Sequence, residues 1–245
     1  MSENNIKIDK KKIESFFKER ANKHDENQPL KTVIYQDKNP NLAKERDKYE
    51  KYKIKKLINF SNNDTVLDIG CGIGRWADEI SNSVKRYVGI DFINEFIDIA
   101  NSKYKKKNNI QFFCLQGSEL SEGRIINHSP YSIFMILGLF PYISDDDGYG
   151  IIKQLNKISS DNSKIIIREP IAIEKEMILN NVWSEDMETN YSAKYRTHDW
   201  FIKMFNDFLL SKGYKIVVDE PLFPSHLNNR KETKQHLFCL KKTSK

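Results

Sequence analysis

Three glycines at alternate positions form the most distinctive chemical feature of this sequence. Gly70, Gly72 and Gly74 follow a short apolar segment, residues 65–69, which contains Asp68. A helical pattern begins directly after them. Glycine is needed where the backbone adopts a positive φ or where a ligand lies against it. A strand followed by a glycine-rich turn and a helix N-terminus is a common nucleotide-binding arrangement, so the segment predicts a site for a nucleotide-like ligand.

The next predicted strand supplies an acidic residue in a suitable place. Residues 86–91 are largely apolar and end in Asp91. An acid at the tip of the second strand binds ribose hydroxyls in dinucleotide-binding folds. The dinucleotide pattern G-x-G-x-x-G would place its third glycine at position 75, where this chain has Arg75. The observed spacing, D-x-G-x-G-x-G, therefore favours a different nucleotide-like ligand.

The segments VLDIGCGIGRW (66–76) and VGIDF (88–92) resemble the first two signature motifs of the class I S-adenosylmethionine (SAM) methyltransferases. The resemblance extends over residues 55–170. It implies an α/β fold, a Rossmann-like, doubly wound, seven-stranded and mostly parallel sheet with a reversed last strand and an N-terminal helical lid. It also implies an enzyme that uses SAM as its cofactor and transfers a methyl group.

The family motifs assign cofactor contacts to individual positions. By this resemblance Asp68 holds the amino group of the cofactor, Asp91 binds both ribose hydroxyls, and Arg75 or Arg46 meets the carboxylate. The expected contacts are Arg46, Asp68, Gly70, Cys71, Gly72, Gly74, Arg75, Asp91, Phe92, Gln116, Gly117, Ser118 and Leu137. Ser118 stands where relatives have an acid near the adenine amino group. Gln116, Ser118 or a backbone group is therefore expected to make that contact.

The family motifs supply no general base, because Pro141 and Tyr142 stand where many relatives have histidine. The candidate catalytic residues are polar side chains predicted near the carboxyl ends of the strands. His198 is the first choice, since histidine titrates near neutral pH, followed by Glu169 and Tyr195. His198 also opens a predicted helix, where capping or packing is a common alternative role. No group of acidic residues and histidines has metal-ligand spacing, so no metal is predicted.

Aromatic and basic residues predict the acceptor contacts. The expected set is Tyr35, Tyr142, Tyr191, Arg196 and His226. Arginine binds phosphate or carboxylate bidentately, and tyrosine packs against a sugar face. Arg196 has a structural alternative, an ion pair with an acidic residue between positions 185 and 188. Arg46 has one too, as a surface partner of Glu50.

The order of the elements predicts the domain organisation. Strands that alternate with helices form a doubly wound sheet that binds its ligands at the carboxyl ends of the strands. We assign residues 1–59 to an N-terminal helical lid, with helices over 9–23 and 42–59, and residues 60–245 to a SAM-binding domain. Residues 171–197 are too long for a simple connection, and we expect them to form an insertion at the acceptor site.

The composition is typical of a soluble globular protein. Of the 245 residues, 39% are hydrophobic and 30% are charged. No apolar run reaches the about 20 residues that span a bilayer, and the N-terminus lacks the apolar core of a signal peptide. The three cysteines lie far apart and predict free thiols. We therefore expect a cytoplasmic protein without a membrane span; the oligomeric state stays open.

The charge distribution bears on the acceptor. The net charge of +6 is concentrated in the first 58 residues, which suits an anionic small molecule but is also typical of solvated helix faces. The segment YSAKYRT (191–197) loosely resembles methyltransferases of surface-polysaccharide or antibiotic pathways. We expect O- or N-methylation of a small polar acceptor, a sugar or a nucleotide-linked or phosphorylated saccharide precursor.

Two alternatives remain open at this point. One is methylation of RNA or of a protein N-terminus, although the sequence shows no appended RNA-binding module and nucleic acid is not favoured as a partner. The other is a SAM-binding partner subunit without catalysis, which the departure at Ser118 keeps open.

Overall fold

A seven-stranded sheet forms the centre of the protein. The computed structural model describes residues 8–34, 39–120, 123–185, 187–228 and 230–243. The strands of the sheet are β1 (Thr65–Ile69), β2 (Arg86–Asp91), β3 (Ile110–Cys114), β4 (Tyr131–Leu137), β5 (Ser159–Ala172), β8 (Tyr214–Pro221) and β9 (Thr233–Lys242). They are arranged in the order β3-β2-β1-β4-β5-β9-β8. Strands β1 to β5 pair in parallel, and β9 is antiparallel to both β5 and β8. The predicted Rossmann-like, mostly parallel sheet is confirmed.

Helices cover both faces of this sheet. They are α1 (Lys10–Asn22), α2 (Leu30–Val33), α3 (Pro40–Ile58), α4 (Ala77–Ile80), α5 (Asn94–Tyr104), α6 (Asp145–Ile158) and α7 (His198–Phe208). Helix α3 begins where it does because Pro40 suits the first helical turn and the Asn39 side chain accepts a hydrogen bond from the Leu42 N–H at 3.1 Å. None of the helices in the described ranges is long and apolar enough to cross a membrane.

The two faces of the sheet have separate apolar cores, because successive residues of a strand point to opposite sides. On β4, Phe134 packs into the core beneath α6 and α7, which includes Phe205. Its neighbour Met135 packs into the core beneath α3, α4 and α5, which includes Ile54. Both β4 side chains are fully buried. This two-sided burial explains the continuous apolar run of the strand.

The segment 171–197 is a hairpin rather than an irregular connection. Strand β5 continues to Ala172, and β6 (Met177–Ser184) and β7 (Thr189–Tyr195) then pair antiparallel as a separate two-stranded sheet. In β7, buried Tyr191, Ala193 and Tyr195 alternate with less buried residues. That period of two is typical of a half-buried strand. The same alternation is visible in the sequence of residues 189–195.

The N-terminal elements pack in two different places. Ile13, Phe16 and Phe17 of α1 form a third apolar cluster with Tyr142 and other residues above the carboxyl ends of the strands. Helix α3 instead packs directly on the sheet, where Ile54 and Ile58 are almost completely buried. Within the predicted lid, α1 therefore covers the carboxyl edge while α3 belongs to the main core.

Candidate active site

The glycine turn is tied to the end of β2 by its backbone. The N–H groups of Gly70 and Cys71 donate to the Ile90 carbonyl at 2.8 and 3.0 Å, and the Gly72 N–H donates to Asp91 Oδ2 at 2.9 Å. Gly72 has a φ of +54°, and a Cβ there would lie 2.9 Å from Val33 Cγ1. These N–H groups are already used, so the glycines serve chiefly to shape the turn and to allow close approach.

Two buried carboxylates face this turn. The Tyr87 hydroxyl donates to Asp68 Oδ2, and the Ile93 N–H donates to Asp91 Oδ1 at 3.0 Å. Burial raises the pKa of both carboxyl groups to about 6, even though these hydrogen bonds lower it. Each carboxylate oxygen has more than one acceptor site. The pair therefore suits a ligand that brings hydroxyl or ammonium donors.

A cleft of two adjoining cavities runs along the carboxyl ends of the strands. The first, the outer cavity, borders Gln116 and Gly117, and the second, the cofactor side of the cleft, borders Asp68 and Arg75. Cavity residues from the predicted cofactor set are Asp68, Gly70, Cys71, Gly72, Arg75, Asp91, Phe92, Gln116, Gly117 and Leu137. The outer cavity is otherwise largely apolar, with Ile69, Leu115 and Ile151 in its wall. A Cβ on Gly117 would lie 2.5 Å from Ile151 Cδ1, so glycine is needed there to keep the packing.

Gly74 and Arg46, two other members of the predicted cofactor set, lie elsewhere. Gly74 borders neither cavity of the cleft, and its carbonyl accepts a hydrogen bond from the Tyr104 hydroxyl at 3.0 Å. Ser118 belongs to the short turn Gly117–Glu119. Arg46 borders the neighbouring cavity described next. Tyr35, expected to contact the acceptor, lies outside the described residues.

A third cavity adjoins the cleft and is the candidate acceptor cavity. It shares Val33, Leu137, Gly138, Tyr142 and Arg168 with the cofactor side of the cleft. Among its other lining residues are the predicted Tyr191 and Tyr195, together with Arg46 and Arg230. A molecule in this cavity would meet a cleft ligand at Gly138 and Tyr142.

An ion-pair network on α3 forms one wall of the acceptor cavity. Glu50 Oε2 lies 2.7 Å from Arg168 Nε, and Glu50 Oε1 lies 2.5 Å from the Arg75 guanidinium. The Trp76 indole N–H also donates to Oε1, at 3.2 Å. Burial by itself raises the pKa of Glu50, but Arg168 and Arg75 outweigh it and hold that pKa at about 2. Glu50 is thus a buried, ionised carboxylate that orients two arginines.

Cations are crowded in the acceptor cavity. Burial and the neighbouring charges of Arg168 and Arg230 lower the pKa of Arg46 to about 10, although Glu50 partly offsets them. The Arg46 Nε–H donates to the Leu227 carbonyl at 2.7 Å, and the guanidinium lies over the Phe223 ring. Arg46 is buried and is therefore not the surface partner of Glu50 considered above.

A row of hydroxyl groups crosses the cavity from this cationic wall to the cleft. The Tyr195 hydroxyl accepts from Arg230 at 3.2 Å and lies 2.9 Å from the Tyr191 hydroxyl. The Tyr191 hydroxyl lies in turn 3.1 Å from that of Tyr142. Alternation along β7 places Tyr191 and Tyr195 on the same face, which is why both reach the cavity.

Glu169, a predicted catalytic residue, is buried behind the cavity wall. Its Oε1 accepts hydrogen bonds from the N–H groups of Gly138 and Leu139, at 3.0 and 2.9 Å. Burial raises the pKa of this carboxyl group to about 7. Glu169 does not border any of the three cavities described above. The geometry makes it a residue that holds the turn after β4.

The structure does not bring His198, Arg196 or His226 to these three cavities. His198 lies 2.9 Å from Asp219 on the opposite face of the last strands. Arg196 is almost fully buried and donates to Asp145 and to the carbonyls of Phe140 and Ile143. Among the described residues, its ion-pair partner is Asp145, at the start of α6. His226 is exposed on a short turn.

Sequence reasoning did not assign Arg168, Arg230 and Glu50 to the site. Arg168 had a usable signal, because it lies near the carboxyl end of a predicted parallel strand, at the same edge as the glycine turn. Glu50 and Arg230 had no comparable signal. They come from α3 and from the segment before β9, and only the folded chain places them beside Arg168.

Comparison with known proteins agrees with this arrangement. Residues 66–161 match the family described as "Methyltransferase domain". The chain is 29% identical over 131 residues to phosphoethanolamine N-methyltransferase 1 of Triticum aestivum, covering 52% of this chain and 25% of that protein. It is 23% identical over 213 residues to phosphoethanolamine N-methyltransferase 3 of Arabidopsis thaliana, covering 82% and 40%. It thus spans about a quarter to two fifths of the length of these relatives.

A solved structure extends the similarity to the whole fold. Phosphoethanolamine N-methyltransferase 1 of Haemonchus contortus, in complex with phosphoethanolamine and S-adenosylhomocysteine, superposes with a TM-score of 0.70. The sequence identity is 17%, and the match covers 96% of this chain and 49% of that one. The family match identifies a methyltransferase domain over residues 66–161, and the solved structure shows that the chain has the fold of a class I SAM-dependent methyltransferase, as its motifs predicted. SAM is the cofactor of this class.

The residues of the cleft fit SAM. The turn at Gly70 and Gly72 allows a ligand to approach the backbone closely, and the apolar outer cavity suits a flat ring. Asp91, at the end of β2, would hold the ribose hydroxyls, and Asp68 would hold the amino group of the methionine part. When bound, SAM supplies an electrophilic methyl group on a sulfonium; the chain supplies position, charge and exclusion of water.

Proposed function

We propose that this protein transfers a methyl group from SAM to a small polar acceptor that carries a phosphate group. The observation that carries the proposal is the cluster of Arg46, Arg168 and Arg230 around one cavity beside the cleft. Asp47 and Glu50, which also line this cavity, are already paired with Arg75, and Glu50 is paired with Arg168 as well. Burial and the charges of Arg168 and Arg230 lower the pKa of Arg46, and an anion in the cavity would offset the repulsion among these arginines.

The hydroxyl row supports the same acceptor class. Tyr142, Tyr191 and Tyr195 present donors and acceptors next to Arg230. Guanidinium groups with adjacent phenol hydroxyls match the several oxygens of a phosphate ester. The relatives named as phosphoethanolamine N-methyltransferases support a phosphorylated acceptor as well. A phosphorylated or nucleotide-linked sugar carries the same anionic group, and a saccharide acceptor is included in the proposal on that ground.

The junction between cavity and cleft favours an amine nucleophile over a hydroxyl. Of the described residues that border both the cavity and the cofactor side of the cleft, Tyr142 and Arg168 are the polar ones. Neither is a good general base, because a guanidinium carries only hydrogen-bond donors and a neutral phenol is a poor proton acceptor. An amine reacts once it arrives unprotonated, whereas a hydroxyl gains from a base within reach. N-methylation therefore does not require a general base at this junction.

The test is a paired acceptor assay with the purified chain. S-adenosylhomocysteine formation is measured with phosphoethanolamine and ethanolamine, and with an amino-sugar phosphate and its unphosphorylated amino sugar. We expect turnover with at least one phosphorylated member and little or none with its partner. Turnover that is equal within both pairs, or confined to the unphosphorylated members, would overturn the phosphate assignment. Failure to bind SAM would overturn the methyltransferase activity itself.

A further inference from the structure

Three side chains of metal-binding type converge on the face of the last strands opposite the acceptor cavity. His198 is the first residue of α7, Asp219 lies on β8 and His236 lies on β9. The His236 Nε2 lies 2.6 Å from Asp219 Oδ1, and the His198 Nε2 lies 2.9 and 3.0 Å from the two Asp219 oxygens. One ligand atom from each residue lies within 4.8 Å of the others.

Strand alternation separates this cluster from the methyltransferase site. Thr233 and Gln235 of β9 border the acceptor cavity, whereas His236 and Phe238 of the same strand point to the other face. There the Phe238 ring stacks on Phe201 of α7. The cluster therefore belongs to the α7 face and shares no residue with the three cavities of the active site.

The burial of the three residues is graded. His236 is buried, whereas the side chains of His198 and Asp219 are 39% and 33% exposed. The inner ligand is thus held rigidly by the sheet, and the outer side is open to solvent. Such an arrangement allows an ion to enter and leaves room for water in its remaining coordination positions.

A second observation concerns the other ring nitrogen of His236. Its Nδ1 is buried and has no hydrogen-bond partner among the described residues, and the same is true of Glu169 Oε2. These two residues are register partners across β5 and β9, so their side chains lie side by side on one face. A histidine that binds a metal through one nitrogen commonly donates the other N–H to a carboxylate. Glu169, the register partner of His236, is the neighbouring carboxylate that would receive it.

Without a metal ion, the hydrogen bonds of the cluster leave His236 Nδ1 without a partner. A neutral His236 that donates from Nε2 to Asp219 leaves Nδ1 as a buried acceptor with no donor. Coordination of an ion by Nε2 requires the opposite tautomer, with the proton on Nδ1, next to Glu169. A hydrogen bond from Nδ1–H to Glu169 Oε2 would then satisfy both buried atoms.

We propose that His198, Asp219 and His236 bind a divalent transition-metal ion of the zinc type. The two Nε2 atoms and the Asp219 carboxylate are the ligands, with solvent in the remaining position. Imidazole with one carboxylate suits zinc and its neighbours, whereas magnesium and calcium prefer oxygen ligands alone. The ion would link the N-terminus of α7 to β8 and β9, in a structural role apart from methyl transfer.

The test measures metal binding and thermal stability of chelator-treated protein. Calorimetric titration with Zn²⁺ is expected to show one site, and Zn²⁺ but not Mg²⁺ is expected to raise the melting temperature. In His198→Ala, which alters a partly exposed side chain, we expect the affinity to fall by at least about 10-fold. His226→Ala removes an exposed histidine outside the cluster and serves as the matched control.

Two results would overturn the site. One is wild-type protein that does not bind Zn²⁺, or whose melting temperature responds equally to Mg²⁺. The other is Zn²⁺ affinity that is the same in wild type and His198→Ala, or that falls equally in His226→Ala, which would locate the bound ion elsewhere. Loss confined to the cluster variant supports the proposal.

Discussion

Glu50 Oε2 lies 2.7 Å from Arg168 Nε, and this contact joins α3 to the end of β5. Glu50 simultaneously holds Arg75 beside the glycine turn. One buried carboxylate thereby orients an arginine of the cofactor cleft and an arginine that borders the acceptor cavity. The position of α3 on the sheet and the charge pattern of the site depend on the same residue.

We expect Glu50→Gln to destabilise the protein by about 3 kcal/mol, because it leaves buried arginines without their counter-charge. The free energy of unfolding is measured by denaturant titration near neutral pH. Glu45→Gln removes an exposed carboxylate of the same helix and is the matched control. Equal unfolding midpoints for the two variants would contradict the structural role of Glu50. Since the pKa of Glu50 is held at about 2, below its ordinary 4.5, its contribution is lost only as the pH falls from about 4.5 towards 2.

Cofactor affinity should depend on Asp91. We expect Asp91→Ala to weaken SAM binding by about 2–3 kcal/mol, since two charge-assisted hydrogen bonds to the ribose are lost. Calorimetry gives the dissociation constant, and circular dichroism checks the fold. Asp161→Ala, an exposed position on β5, is the control. Unchanged affinity in a folded Asp91→Ala protein would place the ribose elsewhere. NAD is expected not to bind wild type.

The buried carboxylates Asp68 and Asp91 predict that stabilisation by SAM depends on pH. Burial raises the pKa of Asp68 and Asp91 from the ordinary 3.8 to about 6. Between those values the folded chain binds more protons than the unfolded chain, so both groups lower the free energy of unfolding as the pH rises through that window. In the contacts proposed above, SAM binds the ionised forms and compensates for this loss. We therefore expect SAM to raise the melting temperature more above pH 6 than below pH 5; a shift that does not change with pH would contradict it.

Arg230 should act on the acceptor and not on the cofactor. With the acceptor identified by the paired assay, we expect Arg230→Met to lower kcat/KM for it by about 10- to 100-fold, through loss of charge-assisted contacts. The dissociation constant of SAM should not change. Arg86→Met is the control, because Arg86 begins β2 and so lies at the amino ends of the strands, away from the cavities. Equal kinetics for the two variants would remove Arg230 from the acceptor site.

Arg196 should behave differently from Arg230. Its guanidinium is buried and bonded to Asp145 and to two carbonyls of the turn after β4. We expect Arg196→Lys to lower the melting temperature, because lysine cannot reproduce this fork of donors. Acceptor kinetics measured below the new transition should change little. A loss of acceptor kcat/KM without a change in stability would return Arg196 to the acceptor site, as first predicted.

The N-terminal lid is testable by truncation. Lys10, Ile13 and Val33 border the cavities from α1 and α2, so we expect deletion of residues 1–41 to abolish turnover. The sheet should still fold, since its strands begin only at Thr65. Deletion of residues 1–7 is the control, because every cavity-lining residue that the structure describes stays in place. Full turnover after the longer deletion would show that the lid is dispensable.

Several features of this protein are determined locally and were predictable. The glycine turn and the acidic residue at the end of β2 lie within consecutive residues, so their spacing alone indicates a class I methyltransferase cleft. Continuous apolar runs such as β4 predict buried parallel strands, because both of their faces must be covered. Period and spacing are properties of neighbouring residues, so they can be recognised without knowledge of the fold.

Tertiary contacts determine the acceptor cavity and the cluster of His198, Asp219 and His236. Arg168 and Arg230 lie in separate segments, yet the fold places both beside one cavity. His198 was predicted as a base, but the fold pairs it with Asp219 and His236 on the far face of the sheet. Arg196 was predicted to contact the acceptor, and Asp145 holds it instead. A side chain's partners depend on strand register and on which face it occupies, and these arise only when distant segments pack together.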